Sequence, residues 1–524
     1  MKKHHRYSLT ILVVVILSAS VLVHVVRDNK QSIAQWCSVG SPPRIRPDYY
    51  GAVIPPNIAP LNFLVQESGS HYYVKIYSKQ GKPIEVFSKT PKIVIPQNQW
   101  QELLNMNRGE ELCFDVFVKT QDDRWNLFST LTNKIANEDI DGFLVYRKMH
   151  PTHTHISGKM AIYQRNLENF NESLILDNGY YKGGCLNCHA FCGNNTDKML
   201  ISVRNDLYGT STLLIENGVV NKIEAKFGYP SWHPSGQLTA YSINHLSMFS
   251  HVARNEVRDT VDLNSLLAYY PLDSKTINTS PKISQKKRLE TWPAWSADGR
   301  YLYFCSAPML WSDLNEIPPK RYKQVKYDLV RISYDIEQDR WGELETVLSA
   351  QDTGLSIAMP RISPDGRWLL FCMCNYGYFS PWQRSSDLYL MDLKAVQQTG
   401  QYKYRRLQIN SDQSESWQSW SSNSRWIAFS SKRQHGVFTR PYLSYVDQEG
   451  KVYKPIVMPQ KDPLFYDSCL KTYNIPELVI QPVQVTGEKL ARVIRGSRKI
   501  SVDMPITMAT LKAGVAPELW HEGE

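Results

Sequence analysis

From residue 61 to 148, apolar and polar positions alternate in short runs separated by turn residues. Tyr72-Tyr73-Val74-Lys75-Ile76-Tyr77, Lys92-Ile93-Val94-Ile95, Cys113-Phe114-Asp115-Val116-Phe117-Val118 and Gly142-Phe143-Leu144-Val145-Tyr146 all read this way. A period of two predicts strands, and their spacing predicts a small fibronectin-III-like β-sandwich over 61–148. Beyond residue 198 the pattern changes. Four stretches share one phrase: Pro230 to Ser242, Pro293 to Phe304, Pro360 to Phe371 and Gln418 to Phe429. Each runs from an aromatic or aliphatic residue through a tight polar turn and one basic or polar residue into an apolar strand. The turn is where Asp, Asn and Gly tolerate unusual dihedrals, and an apolar run of that length predicts a strand buried on both faces. Repeats about 60 residues apart leave room for four strands each, so a β-propeller is expected over 198–470. Six blades are expected, with weaker ones around Met199 to Glu216 and after Tyr453. The tail over 471–524 is a candidate to complete a blade.

The N-terminus carries a third pattern. Lys2, Lys3 and Arg6 precede an apolar run from Leu9 to Val26, a length suited to crossing a hydrocarbon core. The basic flank predicts a cytoplasmic start and export of everything after Arg27. Ser18-Ala19-Ser20 offers a competing signal-peptide cleavage site, but Val21 to Val26 prolong the run, which favours an uncleaved anchor over 1–30. Residues 31–60 contain a proline-rich stretch and read as a linker. The expected location is therefore the inner membrane, single-pass, with the bulk in the periplasm and an envelope or periplasmic protein as partner.

Charge alters this picture little. The chain of 524 residues has a formal net charge of +10, spread over a large surface. Its densest basic stretches, Lys286-Lys287-Arg288 and Lys489 to Lys499, lack the interleaved aromatic residues of a nucleic-acid groove, so nucleic acid is excluded as a partner.

The cysteines matter more. Of nine, Cys37, Cys113 and Cys469 stand alone, and Cys305, Cys372 and Cys374 lie in apolar strand runs. Only Cys185, Cys188 and Cys192 cluster. Cys185-Leu186-Asn187-Cys188-His189 has the spacing of c-type haem attachment: two thiols one helical turn apart add to the two vinyl groups, and the imidazole becomes an axial ligand of the iron. Covalent haem c on Cys185, Cys188 and His189, over a segment 149–197, is the leading expectation. Candidates for the second axial position are Met199 and His233, with His153 and His155 weaker. Two other readings stand beside it: Zn2+ held by Cys185, Cys188, His189 and Cys192, and a short-loop disulfide.

The four-fold phrase resembles the PD40 repeat of TolB-like β-propellers. The chain is also similar to a family of Bacteroidetes TolB-like proteins often labelled cytochrome c biosynthesis proteins, through residues from about 45 to 470. The likeness rests on Pro55 to Phe63, Tyr163 to Phe170, Cys185 to His189, Tyr229 to Pro234 and Glu290 to Trp295. It implies a propeller with haem c, and members often carry a histidine where this chain has Ser202.

The expected function is a membrane-anchored periplasmic monohaem cytochrome that transfers or senses electrons while its propeller binds a partner. The alternative is a non-haem, TolB-like interaction scaffold with structural cysteines. An enzyme is less well supported. Gly209-Thr210-Ser211-Thr212-Leu213 fails the nucleophile-elbow pattern at its last position, and Glu256, Asp259 and Asp262 read as single residues in a solvated loop.

Overall fold

A computed structural model of the chain describes Ile33 and residues 35–151, 158–250 and 258–503, apart from the side chain of Cys188. The expected anchor, together with His153, His155 and Glu256, lies outside these residues. No helix among the described residues is long and apolar enough to cross a membrane.

Six antiparallel sheets make up most of the molecule. Blade 1 contains Phe143–Met149, Met160–Asn166 and Glu172–Asp177, with Thr472–Val479 as its innermost strand. Blade 2 is the meander Cys185–Cys192, Asn195–Asn205, Gly209–Glu216 and Val219–Ile223. Blade 3 is Gly228–Trp232, Leu238–Ser250 and Arg258–Pro271, extended by a bridge from Tyr269 to Asn278. Blade 4 is Arg288–Trp295, Tyr301–Pro308, Asp328–Asp335 and Arg340–Leu348. Blade 5 is Ser356–Ile362, Trp368–Cys374, Asp387–Asp392 and Tyr404–Arg406, and blade 6 is Glu415–Trp420, Trp426–Ser431, Arg440–Tyr445 and Ile456–Val457. The innermost strand of each blade packs on the next, and Thr472–Val479 of blade 1 packs on both Cys185–Cys192 and Glu415–Trp420. The circle is closed, which makes the molecule a β-propeller and removes the free inner edges that an open array would expose. The second strands form its core: every residue of Trp368–Cys374 and of Trp426–Ser431 is buried.

Three expected boundaries change. Phe143–Met149, placed by its alternation in the sandwich, pairs with Thr472–Val479 and belongs to blade 1. Alternation reports one buried face but not which sheet covers it. The proline-rich stretch is not a free linker: Ile45–Arg46 pairs with Phe63–Val65, and Val53–Ile54 pairs with Leu131–Ile135. Ile45, Tyr49, Val53, Ile54 and Ile58 are buried between the prolines. Finally, the segment over 149–197 is not a separate unit but supplies two strands of blade 1 and the inner strand of blade 2.

The N-terminal unit also contains a helix, Gln97–Met106, absent from the strand pattern; Trp100, Leu103 and Leu104 form its buried face. Their spacing of three and four was the available signal. This unit is tied to the ring through Asp141, which accepts from the Ser422 hydroxyl (2.6 Å) and backbone N–H (2.9 Å), and through Trp426 Nε1 donating to the Glu138 carbonyl (3.2 Å). One apolar cluster runs from Ile45 through Trp100 to Trp426 and Leu478.

Beyond Thr472–Val479, the helix Gly487–Arg495 packs on the outer strands of blades 1 and 2. Ile500 then bridges to Ile223 and Asp503 to Thr276.

Candidate functional site

The innermost strands share a defect. At one position in each, the ladder slips by one residue. In five blades the slipped residue has positive φ: Tyr229 (49°), Trp292 (56°), Met359 (55°), Trp417 (54°) and Ile475 (54°). For bulky and β-branched side chains this region is disfavoured, at a cost of about 1–3 kcal/mol each. Such strain persists only where its surroundings hold it, and it collects at functional sites. All five line the axial channel. The residue after each is Pro230, Pro293, Pro360, Gln418 or Pro476. In blade 2 the slip falls at Cys188, so His189 takes the place of those prolines. Cys185–His189 is therefore the blade 2 copy of the channel wall, in a strand and not in the helical turn that its spacing suggested.

The channel has two unequal ends. On the side of the inner turns it opens as a funnel of about 260 Å3, lined by Phe191, Trp232, Trp295, Ser363, Trp420 and their neighbours. It narrows to a cavity of about 30 Å3 among His189, Tyr229, Trp292, Met359, Trp417 and Ile475. There the Tyr229 and Trp292 rings lie 3.8 Å apart and Trp292 meets Trp417 edge-on at 5.4 Å. Beyond this constriction Trp292 Nε1 donates to the Tyr378 carbonyl (3.0 Å) and Tyr378 exchanges a hydroxyl bond with Tyr229 (3.4 Å).

The far end is covered by the long hairpin of blade 3. Its Asp259 accepts from the hydroxyls of Tyr322 (3.1 Å) and Tyr376 (2.9 Å), and its Thr260 from Trp382 Nε1 (3.0 Å). Asp259 and Asp262 are thus not solvated loop residues: both are buried in Arg258–Pro271, and Asp262 accepts from Tyr327 (3.3 Å).

His189 is 2 % exposed, and its Nε2 lies 2.9 Å from the Ile475 carbonyl, so that nitrogen carries the proton it donates. Nδ1 has no hydrogen-bond partner among the described residues. Burial, then the neighbouring Arg147 guanidinium, pushes the imidazole down to about 3, so it is neutral. Cys185 lies instead in an apolar cluster with Tyr181, Leu186 and Met199. The glycine before it is required: a Cβ on Gly184 (φ 97°) would meet the Arg204 carbonyl at 2.3 Å.

The described residues do not fit a haem at this motif as packed. Counted along the ladder, Cys185 and His189 are three positions apart and fall on opposite faces of the sheet. The cavity beside His189 is also far below the roughly 300–1,000 Å3 of a pocket for a ligand of that size.

Neither candidate second ligand shares the cavity. Met199 is fully buried opposite Phe191. His233 is held through Nδ1 by Ser235 (2.8 Å) and through Nε2 by the Gly299 carbonyl (3.1 Å). Ser202 bonds Thr212 and the Phe227 carbonyl, each at 3.0 Å. Of the proposed zinc ligands, Cys185, His189 and Cys192 do not converge, and the Cys188 side chain lies outside the described residues; among those, no three His, Cys, Asp or Glu side chains are grouped to hold a metal.

Sequence reasoning missed one pair on the channel wall. Arg361 Nη2 lies 2.6 Å from Glu477 Oε1. These residues stand on blades 5 and 1, with blade 6 between them, so the pair crosses the funnel floor. Glu477 is buried, and burial raises its carboxyl, although Arg361 pulls the other way.

No family model matches the chain, and no curated protein matches it. Among solved structures it is similar to a luciferin-regenerating enzyme (8 % identity, TM-score 0.36, covering 60 % of this chain and 95 % of that one). It is also similar to an oligogalacturonate lyase from Vibrio parahaemolyticus (11 %, 0.32, 74 % and 100 %) and to the tricorn protease (9 %, 0.32, 76 % and 39 %). The chain spans 45 % of puromycin hydrolase, a further likeness. Likenesses this distant transfer no activity; the propeller rests on the sheet pairing above.

Proposed function

We propose that this chain is a binding protein of the cell envelope, a TolB-like propeller that receives a ligand or partner in its one-ended axial funnel. The observation that carries this reading is the ring of five strained residues around the channel, covered at one end by the blade 3 hairpin. A sequence that keeps strain at equivalent positions of five blades is holding a shape that packing alone does not need. The apolar run over Leu9 to Val26 would hold the protein at the membrane with the ring outside, and the fibronectin-III-like unit would brace blades 6 and 1.

A second reading keeps one specific support, the spacing Cys185-x-x-Cys188-His189: a monohaem cytochrome in which the motif accepts haem c. The test is to make the full chain in a host with haem c maturation machinery and to record its intact mass and a pyridine haemochrome spectrum. An unaltered mass with no haemochrome supports the binding propeller. A mass raised by one haem, lost in the Cys185→Ala, Cys188→Ala variant, overturns the non-haem reading.

A further inference from the structure

Resting on the funnel reading, we propose that the funnel binds a carboxylate, which takes the Arg361 guanidinium from Glu477. Among the described residues lining the funnel, Arg361 and Glu477 alone are charged. The Arg361 side chain is 37 % exposed while that of Glu477 is 12 % exposed, so the guanidinium and not the carboxylate is open to an incoming group.

The sign of the ligand follows from the pair. Arginine is not deprotonated in proteins, whereas a glutamate can take up a proton. The funnel can therefore pass from neutral to one positive charge, but not to a negative one. A planar guanidinium matches a carboxylate with two parallel hydrogen bonds. The walls of Phe191, Trp232, Trp295 and Trp420 and a volume of about 260 Å3 suit a carboxylate on a flat apolar body.

When the ligand carboxylate displaces Glu477, that buried side chain is left without its cation and takes a proton from solvent. The exchange forms one O–H bond and breaks none within the protein. Among the described residues, the other charged or titratable groups at this corner are Arg147 and the neutral His189, and Arg147 and Arg361 both oppose a charge on His189. Binding should thus take up about one proton and strengthen as pH falls.

The test uses the full chain and benzoate, followed by tryptophan fluorescence and by calorimetry in two buffers of different ionisation heat. Saturable binding with proton uptake is expected. Arg361→Gln should abolish binding, and Glu477→Gln should bind at least tenfold tighter at neutral pH with no proton uptake. A tripeptide with a free C-terminus, compared with its amide, tells a chain end from a free small acid: binding of the free form alone assigns the carboxylate to a peptide end, and binding of benzoate alone assigns it to a small molecule. No saturable binding by either probe, or binding unchanged in Arg361→Gln, overturns the proposal. Those outcomes leave the haem test untouched, so the two can fail separately.

Discussion

Blades 2 and 4 present the same strand to the axis with different chemistry. In blade 4 the inner strand reads Thr291-Trp292-Pro293-Ala294-Trp295; in blade 2 the same ladder positions read Asn187-Cys188-His189-Ala190-Phe191. Both strands slip at their second residue. In blade 4 an indole fills the constriction and a proline fixes the backbone after it. In blade 2 the imidazole replaces the proline ring and ties its strand to the carbonyl of Ile475 in blade 1. The C-x-x-C-H spacing is therefore set inside a repeat that needs a slip and a rigid follower at that place. A motif and a structural repeat can share the same five residues.

The largest effect that would break this comparison lies in blade 4. Trp292 is 6 % exposed, packs at a tilt against the Tyr229 ring and donates to the Tyr378 carbonyl. Trp292→Ala should destabilise the chain by about 3–5 kcal/mol, read from urea unfolding. Trp292→Gly should be milder by roughly 1 kcal/mol despite removing one more carbon, because a φ of 56° strains alanine and not glycine. An equal loss in both variants would show that the slip is not strained.

Next comes the imidazole. His189→Ala leaves the Ile475 carbonyl without its donor and should cost about 1–3 kcal/mol, whereas His189→Gln copies Gln418 of blade 6 and should cost under about 1 kcal/mol. The pH dependence has a definite sign. Folded His189 is depressed to about 3 by burial and Arg147, while an unfolded histidine titrates near roughly 6.5. Between these values the unfolded chain binds a proton that the folded chain refuses, so stability falls as pH drops through that window. His189→Gln should flatten that slope, and Pro293→Gln in blade 4 should leave it unchanged.

Four blades were legible because their signal is local. Ser296, Ser363 and Ser421 each bond the Asp or Asn two residues on and accept the backbone N–H five residues on, and that requirement writes one phrase into the sequence. Blade 1 was legible only from its closing end, as a blade completed by the tail; its inner strand comes from 472–479, but its partners come from 143–177. Pairing between such distant segments leaves no periodic mark. Blade 2 was legible as a weak blade around Met199 to Glu216, but its inner strand was hidden by the motif: the cysteine spacing masks Ala190-Phe191, which align with Ala294-Trp295. The Arg361–Glu477 pair had no sequence signal, because only ring closure brings blades 5 and 1 together.

The smallest effect tests how far blade 2 is a true copy, at the turn after the slip. Cys192 stands where blade 4 has Ser296. In blade 4 the Ser296 hydroxyl donates to Asp298 (2.6 Å) and accepts from the Tyr301 N–H (2.9 Å). A thiol is a weak donor and a weak acceptor, so Ser296→Cys should lose about 0.5–1.5 kcal/mol. The reverse change has less to gain. Two residues beyond Cys192, the Asn194 amide is already committed to the carbonyls of Trp420 and Leu478, each at 2.8 Å, and the Asp197 N–H, five residues beyond, goes to Asn195 (2.9 Å). The backbone N–H that a serine hydroxyl would accept is taken, and the two bonds from Asn194 Nδ2 fix where its Oδ1 lies, so Cys192→Ser should change stability by no more than about 0.5 kcal/mol. Thermal melts of the two single variants decide it. A clear gain from Cys192→Ser would mean that the blade 2 turn can adopt the blade 4 geometry, and that its departure is imposed by the cysteine and not by the partners Asn194 and Asn195 have found.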